Sequence, residues 1–442
     1  MLILLNPKPA AAYLDPSAGN ALVYIAVTMV SVGAYAVKGA FYRLMGKKAE
    51  RKAEGQNDIA LFSEGKSYWN TFEPVVRALL ERGQAFSYYT MDIEDPGLTI
   101  RSPLMTSRYI GEGSAGCARL NRTACRVMLA TTPNIGTPGY PLPRPPKVGF
   151  LTHVFHDPDG VGYYKKGALD FYDGVCTVGD YAQPAIRYLE ELRRLPKKEL
   201  VSLGLPYWDL LLKKAEAYRL EGGRGAEARK GRARKVILLA PSWGEKGFLS
   251  CYDLDFIGAL AEEFDLIFRP HPQSRKSEPE LLKKVQKMLA AFPGAEWDES
   301  PEPSYALAAS DLLVSDTSAI RMDYAVIYKK PVISLEVKAE NVSSFELDDL
   351  PIEMRSFADK LCTSVKADGI ANLNAIVRAA LEAENVSKLG ASACAHKGMR
   401  ENIANLGSAG EHIADYLIHK AKALSPEALN TPQSLDATKE TK

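Results

Sequence analysis

Short apolar runs alternate along most of this chain with stretches in which apolar positions recur every three or four residues. Residues 59–62, 85–89, 126–130, 148–154 and 172–178 read as buried strands, while 68–82 and 181–194 carry helical spacing. Gln183-Pro184 places a proline in the first turn of the second helix, where its missing N–H costs nothing. A second series begins after Lys235. Runs at 236–240 (VILLA), 265–269 (DLIFR), 311–315 (DLLVS) and 331–335 (PVISL) alternate with helical stretches near 254–263, 279–291, 303–309 and 318–328. Such alternation predicts an α/β protein with parallel sheets, and its occurrence twice predicts two Rossmann-like, doubly wound domains facing a cleft.

The stretches between and around the two series set the boundaries. Residues 213–235 hold nine basic and three acidic side chains and a glycine-rich EGGRG, the mark of a solvated linker. The first domain is therefore expected over 57–212 and the second over 236–425, ending in an amphipathic helix after Gly407. Residues 426–442 are polar and are expected to be disordered.

Ahead of both domains, residues 21–37 (ALVYIAVTMVSVGAYAV) contain no charge and approach the roughly 20 residues needed to span a bilayer. Lys38, Arg43, Lys47, Lys48, Arg51 and Lys52 follow, whereas only Lys8 precedes the run among basic side chains. A signal peptide carries its positive charge first, and this run carries it afterwards. The expectation is one transmembrane helix within an anchor segment 1–56, with the rest of the chain on the cytoplasmic side of the membrane. A cleaved signal peptide and a buried core helix are the alternatives.

Composition adds exclusions. With 442 residues, the chain exceeds what one core normally serves, in keeping with two domains. A net charge of +1 argues against a nucleic-acid binder drawn to phosphate. Cys117, Cys125, Cys176, Cys251, Cys362 and Cys394 form no CxxC pair and the histidines show no HExxH spacing, so reduced thiols and no metal are expected.

Candidate chemistry lies where strands end, because open α/β sheets bind ligands at their carboxyl edge. The run 266–272 (LIFRPHP) delivers Arg269 and His271 there, one able to fork onto phosphate oxygens and the other to donate to a leaving phosphate. Residues 311–325 read as a strand, a hydroxyl-rich turn (Ser315, Asp316, Thr317, Ser318) and a helix start, offering free N–H groups and hydroxyl donors. A plain strand end and a plain helix cap are the alternatives for these two segments. In the first domain, His156 falls in the turn after a strand and suits a general base. Asp157 is placed to orient it, although Asp before Pro is also an ordinary turn residue. The loop 63–67 (SEGKS) opens onto the same edge, with Ser63 and Gly65 on the acceptor side, or serves only as a helix cap.

Taken in order, these pieces resemble the CDP-glycerol glycerophosphotransferase family, the teichoic-acid-type primases and polymerases with a GT-B fold. His156 corresponds to that family's first-domain histidine, 201–210 (VSLGLPYWDL) is similar to its tGyPRnDxL segment, and 236–243 (VILLAPSW) to its iLyAPTwR strand, which brings in Pro241 and Ser242. Arg269-Pro270-His271-Pro272 matches its RPHP element, and Ser315-Asp316-Thr317-Ser318 with Asp323-Tyr324 resembles TDYSSxxfDy. Three departures bear on the donor's identity: Tyr207-Trp208 stands for Arg-Asn, Gly244 for an arginine, and Ala319 for the second serine.

The resemblance implies transfer of a glycerol-phosphate or similar polyol-phosphate unit from a CDP-activated donor to a membrane-linked acceptor hydroxyl, releasing CMP, with no cofactor and no metal. On that reading His156 takes the acceptor's proton and His271 assists the leaving phosphate. Arg269, Ser315, Asp316, Thr317, Ser318, Asp323, Pro241 and Ser242 line the donor site, and Ser63, Gly65 and Asp157 the acceptor side. A sugar transferase or sugar-nucleotide 2-epimerase shares the expected fold. A catalytically silent envelope-assembly module is a third reading, suggested by the altered motifs.

Overall fold

The computed structural model describes residues 57–220, 234–245, 247–300, 302–337, 345–387 and 402–425. The expected anchor at 21–37, most of the basic linker and the tail after 425 lie outside them. Among the described residues, no helix is long and apolar enough to cross a membrane.

Two all-parallel sheets carry the fold. The first has seven strands: β1 (Ile59–Ser63), β2 (Phe86–Thr90), β3 (Met105–Tyr109), β4 (Ala124–Ala130), β5 (Lys147–Val154), β6 (Gly174–Thr177) and β7 (Glu199–Ser202), in the order β3-β2-β1-β4-β5-β6-β7. The second has six: β8 (Val236–Leu239), β9 (Asp265–Phe268), β10 (Ala295–Trp297), β11 (Leu312–Ser315), β12 (Val332–Leu335) and β13 (Thr363–Val365), ordered β10-β9-β8-β11-β12-β13. Each order reverses once, between β1 and β4 and between β8 and β11. At such a switch point the connecting helices leave on opposite faces and open a crevice at the strands' carboxyl ends. Every residue of β1, β8, β9, β11 and β12 is buried, as expected of parallel strands covered on both faces.

The helices of eight or more residues are α1 (Trp69–Glu81), α2 (Gly113–Leu120), α3 (Gln183–Arg193), α4 (Pro206–Leu220), α5 (Asp255–Glu263), α6 (Pro279–Leu289), α7 (Leu373–Ser387) and α8 (Ala409–Ala423). Two of them correct the boundaries read from sequence. Helix α4 runs on to Leu220, so the charged stretch begins as helix, not as a tether. Helix α8 packs against the first sheet instead of closing the second domain. Its Ile413, Ala414 and Leu417 join the core formed by Phe72, Val75 and Leu79 of α1. Gly410 allows the close approach, since a Cβ there would stand 2.4 Å from Pro74 Cβ. Arg82 grips Asp415 through Nε and Nη2 at 2.5 and 2.8 Å, and Asp209 of α4 accepts the first N–H groups of α8 from Ala409 and Gly410 at 3.0 and 2.8 Å.

A second tie joins the domains beside the cleft. Asp159, in the loop after β5, accepts from Ser356 Oγ and the backbone N–H of Phe357 and Ala358 at 2.7, 2.6 and 2.9 Å. Glu346, 1% exposed, accepts from the Arg193 guanidinium and from Gly167 N at 2.9 Å. Removing either partner would strand a buried charge, so these contacts hold the two domains in one arrangement.

Candidate functional site

At the carboxyl edge of the first sheet, β1 and β4 run side by side with Phe62 opposite Ala130, and Glu64 and Thr132 each follow that pair by two residues. His156 leaves the end of β5 on the next strand. Its Nδ1 lies 3.0 Å from Thr131 Oγ1, its ring stacks on Tyr164 at 5.8 Å and meets the Tyr68 ring edge-on at 5.0 Å. Nε2 has no hydrogen-bond partner among the described residues. Burial against these rings disfavours the imidazolium and brings the His156 pKa down to about 4. The imidazole is therefore neutral at pH 7, as a proton acceptor must be.

Two expected acceptor-side roles change. Asp157 does not orient His156: its Oδ1 accepts from Asp159 N at 2.8 Å, and Thr131 holds the ring. Burial, with Asp159 and Asp323 nearby, pushes the Asp157 carboxyl up to about 7. Ser63 is spent on its own turn, donating to Gly65 O at 3.0 Å and accepting from Gly65 N at 3.1 Å. Gly65 is packed under Asp92, whose Cβ would lie 3.1 Å from any Cβ at that position. The loop's polar group is Glu64, whose carboxyl burial raises above its ordinary range while the hydroxyls of Thr132 and Tyr140 work the other way.

In the second sheet, β8, β9 and β11 end together. The side chain of Asp316 is fully buried and accepts from Ser242 N and Phe248 N at 2.9 and 2.8 Å, closing the loop 242–248. It is a loop clamp, not a phosphate ligand. Ser315 likewise donates to Ala240 O at 2.6 Å. The guanidinium of Arg269, instead of standing free to fork onto phosphate, is taken by Asp298 Oδ2 at 2.5 Å and by Ser300 Oγ and O at 3.2 and 2.9 Å. Asp323 sits inside the interdomain core, where Trp208 Nε1 donates to Oδ1 at 2.7 Å and Tyr207 lends a second hydrogen bond. Burial there raises it to about 6.

What remains open at this edge is narrower than the motifs suggested. Thr317 is exposed and Ser318 half-buried, and neither hydroxyl has a hydrogen-bond partner among the described residues. The His271 ring accepts at Nδ1 from Gln273 N at 3.1 Å, which leaves Nε2 as the protonated nitrogen and a donor. Partial burial lowers its pKa, opposed by Asp316 and Glu278. Trp243, 50% exposed on the Pro241–Ser242 loop, faces it with ring centroids 6.2 Å apart. Gly244 follows at φ +87°, in the left-handed region that glycine enters freely, which accounts for a glycine where the related motif has arginine. Among the described residues, no three His, Cys, Asp or Glu side chains converge to hold a metal ion, and the five described cysteines are free.

Comparison with known proteins supports the family read from the motifs. Residues 175–343 match the family described as CDP-Glycerol:Poly(glycerophosphate) glycerophosphotransferase. The resemblance is thus found independently over the stretch that carries the PYWD, RPHP and DTSA segments. No curated protein matches the chain. Among solved structures, a histidine-to-asparagine variant of the wall teichoic acid polymerase TagF soaked with CDPG is 14% identical, covers 85% of this chain and 90% of its own, and has a TM-score of 0.50. A histidine-to-alanine TagF variant is 15% identical over 92% and 99% of the two chains, again at 0.50. The UDP-GlcNAc 2-epimerase from Methanocaldococcus jannaschii is 14% identical over 82% and 99%, at 0.53. These likenesses establish the twin-Rossmann, GT-B-like fold.

Proposed function

We propose, from the family match over residues 175–343 and the two strand-end histidines, that this chain transfers a glycerol-phosphate unit, or a close polyol-phosphate, from a CDP-activated donor to an acceptor hydroxyl in cell-envelope polymer synthesis. The observation that carries the reading is His271. Its Nδ1 is occupied by a backbone N–H, so Nε2 presents a proton at the strand end near Asp316, with Trp243 facing the ring.

In the step itself, the acceptor oxygen attacks the phosphorus bearing the glycerol. A new P–O bond forms, the pyrophosphate P–O bond to CMP breaks, and the acceptor's proton passes to Nε2 of neutral His156. His271 Nε2–H and the hydroxyls of Thr317 and Ser318 hold the charge gathering on the departing CMP phosphate. A buried imidazole near pKa 4 is by itself a weak base. Donor phosphates entering the cleft raise it, because nearby negative charge favours the imidazolium.

The uncharged run 21–37 and the cations after it support a membrane-tethered enzyme, with its catalytic domains on the cytoplasmic side and a lipid-linked acceptor. The epimerase likeness is one of fold, and the family match favours the transferase. Incubating the full chain with CDP-glycerol and, separately, with UDP-GlcNAc tests the choice. CDP-glycerol is expected to raise Tm and to yield CMP, and UDP-GlcNAc to do neither. Stabilisation by UDP-GlcNAc alone would favour the epimerase class.

A further inference from the structure

Arg321 is a cation that the proposed transfer does not use, at a position the related TDYSSxxfDy motif leaves variable, and it is only 2% exposed. Burying a guanidinium is costly unless its donors are met. Nε donates to Ser318 O at 3.2 Å, and Nη1 to Ser334 Oγ at 2.9 Å and to Asp359 Oδ1 at 2.8 Å. Ser334 Oγ in turn donates to Asp316 O at 3.1 Å. Arg321 and its serine thus fix two carbonyls of the 316–318 turn, one on each side of Thr317.

Asp359 carries the same bonds into the first domain. It directly follows Phe357 and Ala358, whose N–H groups donate to the Asp159 carboxylate. Its own N–H donates to Ser356 Oγ at 3.3 Å, and that hydroxyl donates to Asp159. Tyr181 stacks on Phe357 with ring centroids 3.9 Å apart and donates to Pro158 O. Pro158 and Asp159 belong to the loop that begins at His156. A continuous path therefore runs from the loop of His156 through 356–359 and Arg321 to the turn that bears the Thr317 and Ser318 hydroxyls. Transfer between two domains needs the base and the leaving group in register, and a misplacement of about 1 Å costs about 10²-fold. We propose that Arg321 is a positioning residue for the transfer: held by Asp359, it sets the 316–318 turn against the loop that carries His156. The inference rests on the transferase reading for its effect on turnover. Its effect on CDP binding does not need turnover.

The full chain in detergent is titrated with CDP by calorimetry and assayed for CMP release from CDP-glycerol, with Tm read on the same samples. Arg321→Lys keeps the buried charge, but one ammonium does not replace a planar fork that reaches three partners. It is expected to raise the Kd for CDP about fivefold and to lower kcat about tenfold or more. Asp359→Ala changes a residue whose side chain is 63% exposed, and leaves the turn bonded to Arg321 and Ser334. It is expected to lower kcat about tenfold while the KM for CDP-glycerol and the Kd for CDP stay within about twofold of wild type. A purely structural role lowers Tm in both variants and leaves kcat per folded molecule unchanged. That result, or a wild-type kcat in Asp359→Ala, overturns the proposal. If wild type binds CDP and releases no CMP, the transferase reading fails, and the positioning role then stands on a raised Kd in Arg321→Lys and falls on an unchanged one.

Discussion

The indole Nε1 of Trp208 donates to Asp323 Oδ1 at 2.7 Å, and both side chains are buried. This single bond joins the two altered motifs, PYWD and the helix that follows DTSA. Asp209, the next residue, caps α8. The segment in which Tyr207-Trp208 stands for Arg-Asn is thus a junction of three elements, and its departures concern how the crossover helix is held rather than how phosphate is read.

Trp208→Phe keeps most of the buried ring and removes the donor, leaving a buried carboxyl with the Tyr207 bond alone. A loss of about 1–3 kcal/mol of stability is expected. Trp208→Ala should cost about 3–5 kcal/mol, since a cavity is added. Thermal unfolding of the two variants, compared with Asp323→Asn, checks the assignment. An unchanged Tm in Trp208→Phe would speak against it.

Asp157 is held near pKa 7 by burial, far above an ordinary aspartate. In the unfolded chain this group ionises near pH 4, while in the folded protein it keeps its proton up to about 7. Its favourable contribution is therefore complete below pH 4 and fades as pH rises through 7. Relative to wild type, Asp157→Asn should gain stability between pH 4 and pH 7, on the order of 4 kcal/mol at most at ~1.4 kcal/mol per pH unit. His156 runs the other way. Its pKa is depressed to about 4, so wild-type stability from that group grows as pH rises from 4 toward 6.5. The difference between wild type and Asp157→Asn cancels it. A difference that stays flat over that range contradicts the assignment.

Hydroxyls at the end of β11 divide into structural and open ones. Thr317→Val and Ser318→Ala should leave Tm within a degree or two and raise the Kd for CDP-glycerol roughly 10-fold each, the effect of a hydrogen bond to a charged group. Ser315→Ala should do the reverse, lowering Tm because its bond to Ala240 O is buried, with little change in Kd. Calorimetric titration beside thermal unfolding separates the two patterns.

Much of this architecture was legible in the sequence because buried parallel strands are continuous apolar runs. The strands missed, β3, β7, β10 and β13, are the four sheet edges. Each is covered on fewer sides, so its residues alternate or mix, as in the partly exposed TSRY of β3 and ELVS of β7. The positions of His156 and His271 were readable from strand ends and turns. Partners were not. Nothing local in the sequence says that Arg269 is held by Asp298, that Asp316 clamps the loop at Ser242, or that α8 returns to the first sheet, because each depends on residues distant along the chain. Glu64 was overlooked between Ser63 and Gly65, although a lone carboxylate just past the first strand at a switch point was the available signal. Trp243, beside His271, carried no local signal that set it apart from a core tryptophan.

The most direct test of the central claim is CMP release from CDP-glycerol by the purified full chain, comparing wild type with His156→Ala and His271→Ala at saturating donor. Each substitution is expected to lower the rate about 10²–10⁴-fold, the usual worth of a positioned acid or base, while CDP still raises Tm. Wild-type rates in both variants would contradict the account.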